Sequence, residues 1–142
     1  MISGPIVIDA SVAVEYLIKA RYTEQATKIF RSMLDDPAVE LWAPDLIYPE
    51  SISALRKLVR VESLSEKAAL KAIDNLSRLP IAIATTAPLV HAIWKLKDVV
   101  TPYDASYVAL ARFLRAAFVT ADNKLARALS RSDDNIYQLD SV

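Results

Sequence analysis

The chain has 142 residues, 54% of them hydrophobic and none of them cysteine, which suits one folded domain and excludes disulfides, thiolate zinc sites and cysteine nucleophiles. Seventeen basic residues balance 17 acidic ones, so no overall basic excess announces a nucleic-acid binder, and His91, the only histidine, excludes a multi-histidine metal site. Gly4 is the only glycine, which rules out glycine-rich phosphate loops, and a mean hydropathy of +0.24 excludes disorder.

Residues 5–9, PIVID, form an apolar run suited to a buried strand, and Ser11 is placed to cap the helix predicted over 12–20. Thr23 is placed to cap a second helix over 24–34, which Asp36-Pro37 breaks before a second strand, ELWA, at 40–43. A long helix is expected over 46–61, with Pro49 tolerable only in its first turn. Ser63 and Glu66 have capping-box spacing and open a helix to about residue 78; Pro80 ends it, and IAIA at 81–84 is a third strand. Thr86 and Pro88 start a helix through residue 96, and Asp104 caps another to residue 114. AFVT at 117–120, a short helix over 123–129 and IYQL at 136–139 complete the pattern. Short apolar strands alternating with helices predict an α/β fold with a mainly parallel sheet of four to five strands, covered on both faces. No apolar run approaches the ~20 residues of a membrane span, and the start MISGPIVID lacks a basic leader and a long apolar stretch, so a soluble, cytoplasmic protein is expected.

Four acids fall at unusual places in this pattern. Asp9 ends the first strand, Asp122 lies just past the fourth, Asp104 stands at a helix start, and Glu50 lies on a helix face whose neighbours Ile47, Ala54 and Leu58 are apolar. Each has an ordinary explanation: Asp104 and Asp122 as caps, Asp9 as an acceptor for loop N–H groups, Glu50 as a first-turn acid or the partner of a buried arginine. Sites in open parallel sheets form beyond the carboxyl ends of the strands, where all four could converge. Adjacent strands would bring Asp9 and Asp122 close, and carboxylates gathered without charge partners normally hold a cation.

The segments IVIDASVAVEYL, PDLIYPESISALRKL, YDASYVALA and FVTADNKLA, in this order, resemble the PIN-domain ribonucleases, above all the VapC-type toxins of toxin–antitoxin pairs. The resemblance implies one PIN domain over residues 1–142, a three-layer α/β/α sandwich, and an endoribonuclease activity dependent on Mg²⁺ or Mn²⁺. It places Asp9, Glu50, Asp104 and Asp122 on the family's four acidic positions, and Ser11 and Thr120 on its small hydroxyl positions. Hard oxygen ligands without histidine or cysteine suit Mg²⁺ or Mn²⁺ better than zinc. All four acids are expected at the metal site: Asp9 to ligate directly, Asp104 and Asp122 to complete the coordination directly or through water, and Glu50 also to orient the attacking water, while Thr120 positions a carboxylate or phosphate oxygen. One departure stands out: relatives often carry a glycine in the turn before the fourth strand, where this chain has Leu114-Arg115-Ala116-Ala117.

The same resemblance implies three partners: an RNA substrate, a cognate antitoxin and a second copy of the chain. Lys124, Arg127 and Arg131 share a helical face after Asp122, and Arg56, Lys57 and Arg60 crowd one end of the long helix; either set could hold RNA or be an ordinary solvated face. Tyr16, Tyr22, Leu46 and Tyr48 lie near helix surfaces that serve the antitoxin or the second copy in this family, and core packing would equally explain them. A processing nuclease outside any toxin–antitoxin pair would carry the same site. A catalytically silent binding module would be expected to lose an acid, and this chain keeps all four. A phosphoacceptor receiver domain would want an acid after the third strand, and IAIATT supplies none.

Overall fold

Pro5–Ile8 forms β1, and Ile6, Val7 and Ile8 are all 0% exposed although alternate side chains point to opposite faces of a strand. Both faces are therefore covered, as in parallel sheets sandwiched between helices. In the computed structural model, which describes residues 2–130 and 135–142, β1 is joined by β2 (Glu40–Pro44), β3 (Ala82–Ala84), β4 (Ala117–Thr120) and β5 (Ile136–Gln138). The order is β3-β2-β1-β4-β5, and every pairing is parallel. The sheet thus has five strands and is wholly rather than mainly parallel.

Seven helices flank it: α1 (Ala10–Leu17), α2 (Thr23–Asp35), α3 (Ile47–Arg60), α4 (Glu66–Leu76), α5 (Val90–Lys95), α6 (Pro102–Leu114) and α7 (Asn123–Leu129). The result is a three-layer α/β/α sandwich. Helix α6 packs on β1, β2 and β4, and Ala105 through Ala111 are all buried along it. Its small residues let the backbone approach the sheet closely. No helix among the described residues is long and apolar enough to cross a membrane.

The expected elements are present, with corrections at their ends. The first helix begins at Ala10 and is capped by Asp9, not Ser11, because the Asp9 carboxylate reaches the N–H groups of Ser11 and Val12. Thr23 is the first residue of α2 rather than its cap; its hydroxyl reaches back to Glu15, Ile18 and Ala20. Ser65 caps α4 in place of the Ser63–Glu66 box, accepting from the Ala68 N–H, and the helix stops at Leu76. Thr101 caps α6, which puts Asp104 inside the first turn. The helix expected from Thr86 divides into a 3-10 turn, Ala87–Leu89, and the short α5. Pro49 lies in the first turn of α3, where its missing N–H costs nothing.

Candidate active site

The chain builds the sheet outward from β1 through β2 to β3, then crosses back to add β4 and β5 on the other side. Beyond the carboxyl ends of β1 and β4 lies the switch point, where open parallel sheets leave a crevice. Asp9 stands there, between the end of β1 and the start of α1. Its Oδ1 accepts from the N–H groups of Ser11 at 3.1 Å and Val12 at 3.3 Å, and from the Ser11 hydroxyl at 2.5 Å. Its Oδ2 accepts from the Thr120 hydroxyl at 2.5 Å. The two hydroxyls accept in turn from the exit of β4: Ala121 N–H donates to Ser11 Oγ at 2.8 Å, and Asp122 N–H to Thr120 Oγ1 at 3.0 Å. One carboxylate thereby latches the exits of the two central strands together.

Burial governs the charge state of Asp9. The residue is 6% exposed, and loss of hydration pushes its carboxyl up to about 6. The hydrogen bonds from Ser11, Thr120 and Val12 pull the other way, and the negative charge of Asp104 adds to the rise. Donors that favour the anion are thus outweighed by a dry setting that disfavours it.

Of the other three acids, Asp104 lies within electrostatic reach of Asp9. Asp122 is exposed and caps α7, its Oδ1 accepting from the N–H groups of Lys124 and Leu125 at 3.0 Å each, so its ordinary role as a cap is real. Asp104, in the first turn of α6, is half-buried; its own N–H donates to Thr101 Oγ1 at 3.2 Å. Burial raises the Asp104 carboxyl, Thr101 opposes, and the charge of Asp122 adds to the rise. Glu50, half-buried in the first turn of α3, accepts at Oε1 from the Tyr107 hydroxyl at 2.6 Å. Burial raises its carboxyl too, against that hydrogen bond, with Asp104 again adding to the rise.

Asp104 therefore couples electrostatically to each of the other three acids. The ion pairs between described residues, Lys28–Glu24 and Lys97–Asp98, involve none of the four. The acids are nevertheless not drawn into a ready-made ligand set: among the described residues, no group of three or more His, Cys, Asp or Glu is spaced to hold a metal ion. Each carboxylate is instead held by its own local partners, Asp9 by two hydroxyls, Glu50 by Tyr107 and Asp122 by the start of α7. A cleft of about 470 Å³ opens on this side of the sheet, lined by Asp104, Asp122, Thr101, Lys97 and Lys124 among others.

Sequence reasoning missed Tyr107. The available signal was a tyrosine in the middle of a helix too apolar to face water, because a buried phenol needs a partner for its hydroxyl. Of the basic residues singled out, Lys124 lines the cleft and Arg127 is exposed, while Arg131 lies outside the described residues. Arg56 and Arg60 border a separate groove between α3 and α4 with Leu70 and Ile73, and Lys57 is exposed. Tyr16 stacks on Phe30 with ring centroids 4.1 Å apart, Tyr22 lies under the Arg21 guanidinium, and Leu46 and Tyr48 pack against the core. His91 is exposed on α5.

A wholly parallel five-stranded sheet between two layers of helices defines the fold class of the protein. The chain belongs to the PIN-domain family, which matches residues 6–129. A VapC ribonuclease of Mycobacterium bovis is 33% identical over 121 residues, covering 85% of this chain and 88% of the relative. Among solved structures, a protein from Pyrobaculum aerophilum superposes with a TM-score of 0.70 at 18% identity, over 97% of this chain and 85% of the other. The sarcin–ricin loop cleaving toxin VapC20 of Mycobacterium tuberculosis superposes with a TM-score of 0.62 at 16% identity, over 87% and 94%. At such identities the two structures speak for the fold alone.

Proposed function

We propose that the protein is a Mg²⁺- or Mn²⁺-dependent endoribonuclease formed by one PIN domain over residues 1–142, acting in the cytoplasm as the toxin of a toxin–antitoxin pair. The observation that carries this reading is the coupling of Asp9, Glu50 and Asp122 through Asp104 at the switch point of the sheet, with no cation of the protein paired to any of them among the described residues. A site with surplus negative charge and hard oxygen donors fits a divalent cation of the Mg²⁺ type. The kinship with VapC ribonucleases points the chemistry at RNA.

Asp9 would hold the cation from the β1 end, with Asp104, Asp122 and Glu50 completing the site directly or through water. A divalent cation bound there lowers the pKa of a water and offsets the charge that develops on the phosphate. Glu50 orients the attacking water and receives its proton at the carboxylate oxygen that Tyr107 leaves free. Thr120 keeps Asp9 turned toward the crevice through its hydrogen bond to Oδ2. Lys97 and Lys124 at the cleft offer positive charge for the phosphates flanking the scissile bond.

Two partners accompany this function in the proposal. An antitoxin silences the enzyme by bringing an arginine to the acids, whose planar fork pairs carboxylates two bonds at a time. A second copy of the chain packs on exposed apolar side chains such as Trp94 and Phe113, which are 67% and 71% exposed. Purified protein should cleave single-stranded RNA in Mg²⁺ or Mn²⁺ and stop when a chelator is added. Undiminished cleavage in excess EDTA would overturn the metal-dependent mechanism.

A further inference from the structure

Tyr107 is 0% exposed, its ring is stacked on Phe118 of β4 with centroids 6.2 Å apart, and its hydroxyl donates to Glu50 Oε1 across the α3–α6 boundary. Phe118 pairs in register with Val7 on β1, so the phenol is anchored on the central strands of the sheet. Tyr107 also follows Asp104 by three residues on α6, which puts the two side chains on one face of that helix. A single rigid helix thus carries one acid of the site and the only side-chain hydrogen-bond donor to another among the described contacts.

The chemistry of the donor matters as much as its position. An arginine or lysine at this place would hold Glu50 equally well, but it would neutralise charge that the site needs for a cation. A phenol holds the carboxylate through a neutral O–H donor, without bringing a positive charge. We infer that Tyr107 is a positioning residue for the acidic site: a charge-neutral clamp that fixes Glu50 relative to Asp104 and leaves its second oxygen available. The inference rests on the metal-site reading given above and adds to it a residue that touches neither cation nor RNA.

The test compares the parent with Tyr107→Phe, which keeps the ring and its stacking and removes only the hydroxyl. Two readouts are taken: the rise of Tm with added Mg²⁺ in the absence of RNA, and the split of RNA cleavage into kcat and KM. Partners that orient metal-site carboxylates typically change affinity or activity by about 10–100-fold when removed. Tyr107→Phe should therefore raise the Mg²⁺ concentration for half-maximal stabilisation by about tenfold or more and lower kcat, leaving KM for RNA near the parent's. Glu50→Asp, whose shorter side chain draws the carboxylate away from the phenol without disturbing the core, should give a similar rise. Tyr107→Phe should add nothing in that background, since the two changes break one interaction. A Tyr107→Phe variant that melts lower without metal but keeps the parent's Mg²⁺ response and kcat would assign Tyr107 to packing alone and overturn the clamp. So would fully additive effects of the two substitutions. A parent that shows no Mg²⁺ response would overturn the clamp and the metal site together, whereas a parent that binds Mg²⁺ but leaves RNA intact would remove the nuclease reading and not the clamp.

Discussion

Asp9 shows how a single carboxylate is pulled in two directions. Four donors favour its anion, and its dry setting disfavours it more strongly, so the folded protein binds this proton more tightly than the unfolded chain does. The sign follows directly. An acid raised in the folded state stabilises the fold only while it is protonated, and that contribution is lost as pH rises from the unfolded value of 3.8 to the folded value of about 6. With a chelator present, the parent should lose on the order of 3 kcal/mol of stability from this group across that window. Denaturant melts of the parent and Asp9→Asn at several pH values check this. The parent's stability relative to the variant should rise as pH falls from 6 to below 4, and a parent that instead gains on the variant as pH rises from 4 to 6 would contradict the assignment.

Asp104 allows a cleaner test than Asp122. Among the described contacts its carboxylate holds no N–H group of another helix start, whereas Asp122 holds two N–H groups of α7. Asp104→Asn should leave the metal-free Tm unchanged or higher near neutral pH, because it removes the charge that burdens Asp9 and Glu50, while the stabilisation by Mg²⁺ shrinks. A lower metal-free Tm with the full Mg²⁺ response would mark Asp104 as a structural acid.

At the scale of elements, the turn between α6 and β4 carries a strain that the sequence hints at. Arg115, in the turn that lacks a glycine, adopts φ 51° and ψ 42°, the left-handed conformation in which a side chain crowds the backbone. The turn keeps its shape because the Ala116 N–H donates to the Ala111 carbonyl at 2.8 Å and the helix end is closed. Arg115→Gly should stabilise the fold by roughly 0.5–1 kcal/mol, the relief of strain being partly offset by the freer unfolded chain. A denaturant midpoint that falls would show that the arginine side chain contributes more than its backbone costs.

Element positions were legible because every strand is a short apolar run and every helix has an apolar face. Element ends were not. Ser11 beside Asp9, Asp104 beside Thr101 and Ser63 beside Ser65 are all competent caps, and which one acts depends on the backbone angles that aim its side chain at a free N–H. The same limit hid Tyr107. Its partner Glu50 is 57 positions away, and nothing local in either segment announces the pairing. The four acids stand out in the sequence because their signal is local: each stands where an apolar strand or helix meets a loop.

Across the whole molecule, the parallel order β3-β2-β1-β4-β5 does the assembling. It sets the exits of β1 and β4 side by side, lays α6 across the strands that carry them, and packs α3 against α1, with Glu50 near enough to feel the charge of Asp104. Acids far apart in sequence thereby come within reach of one another's charge: Asp104 adds to the rise of Asp9 and Glu50, and Asp122 to that of Asp104. Groups that act as a unit lose their function together, and their losses do not add. The most direct measurement is the rate of RNA cleavage in Mg²⁺ by alanine variants of Asp9, Asp104 and Asp122, singly and in pairs. Each single variant should lose most of the activity, on the order of a hundredfold or more by analogy with other catalytic units, and each pair should lose little beyond its worse member. Single variants that cleave at the parent's rate would contradict the account.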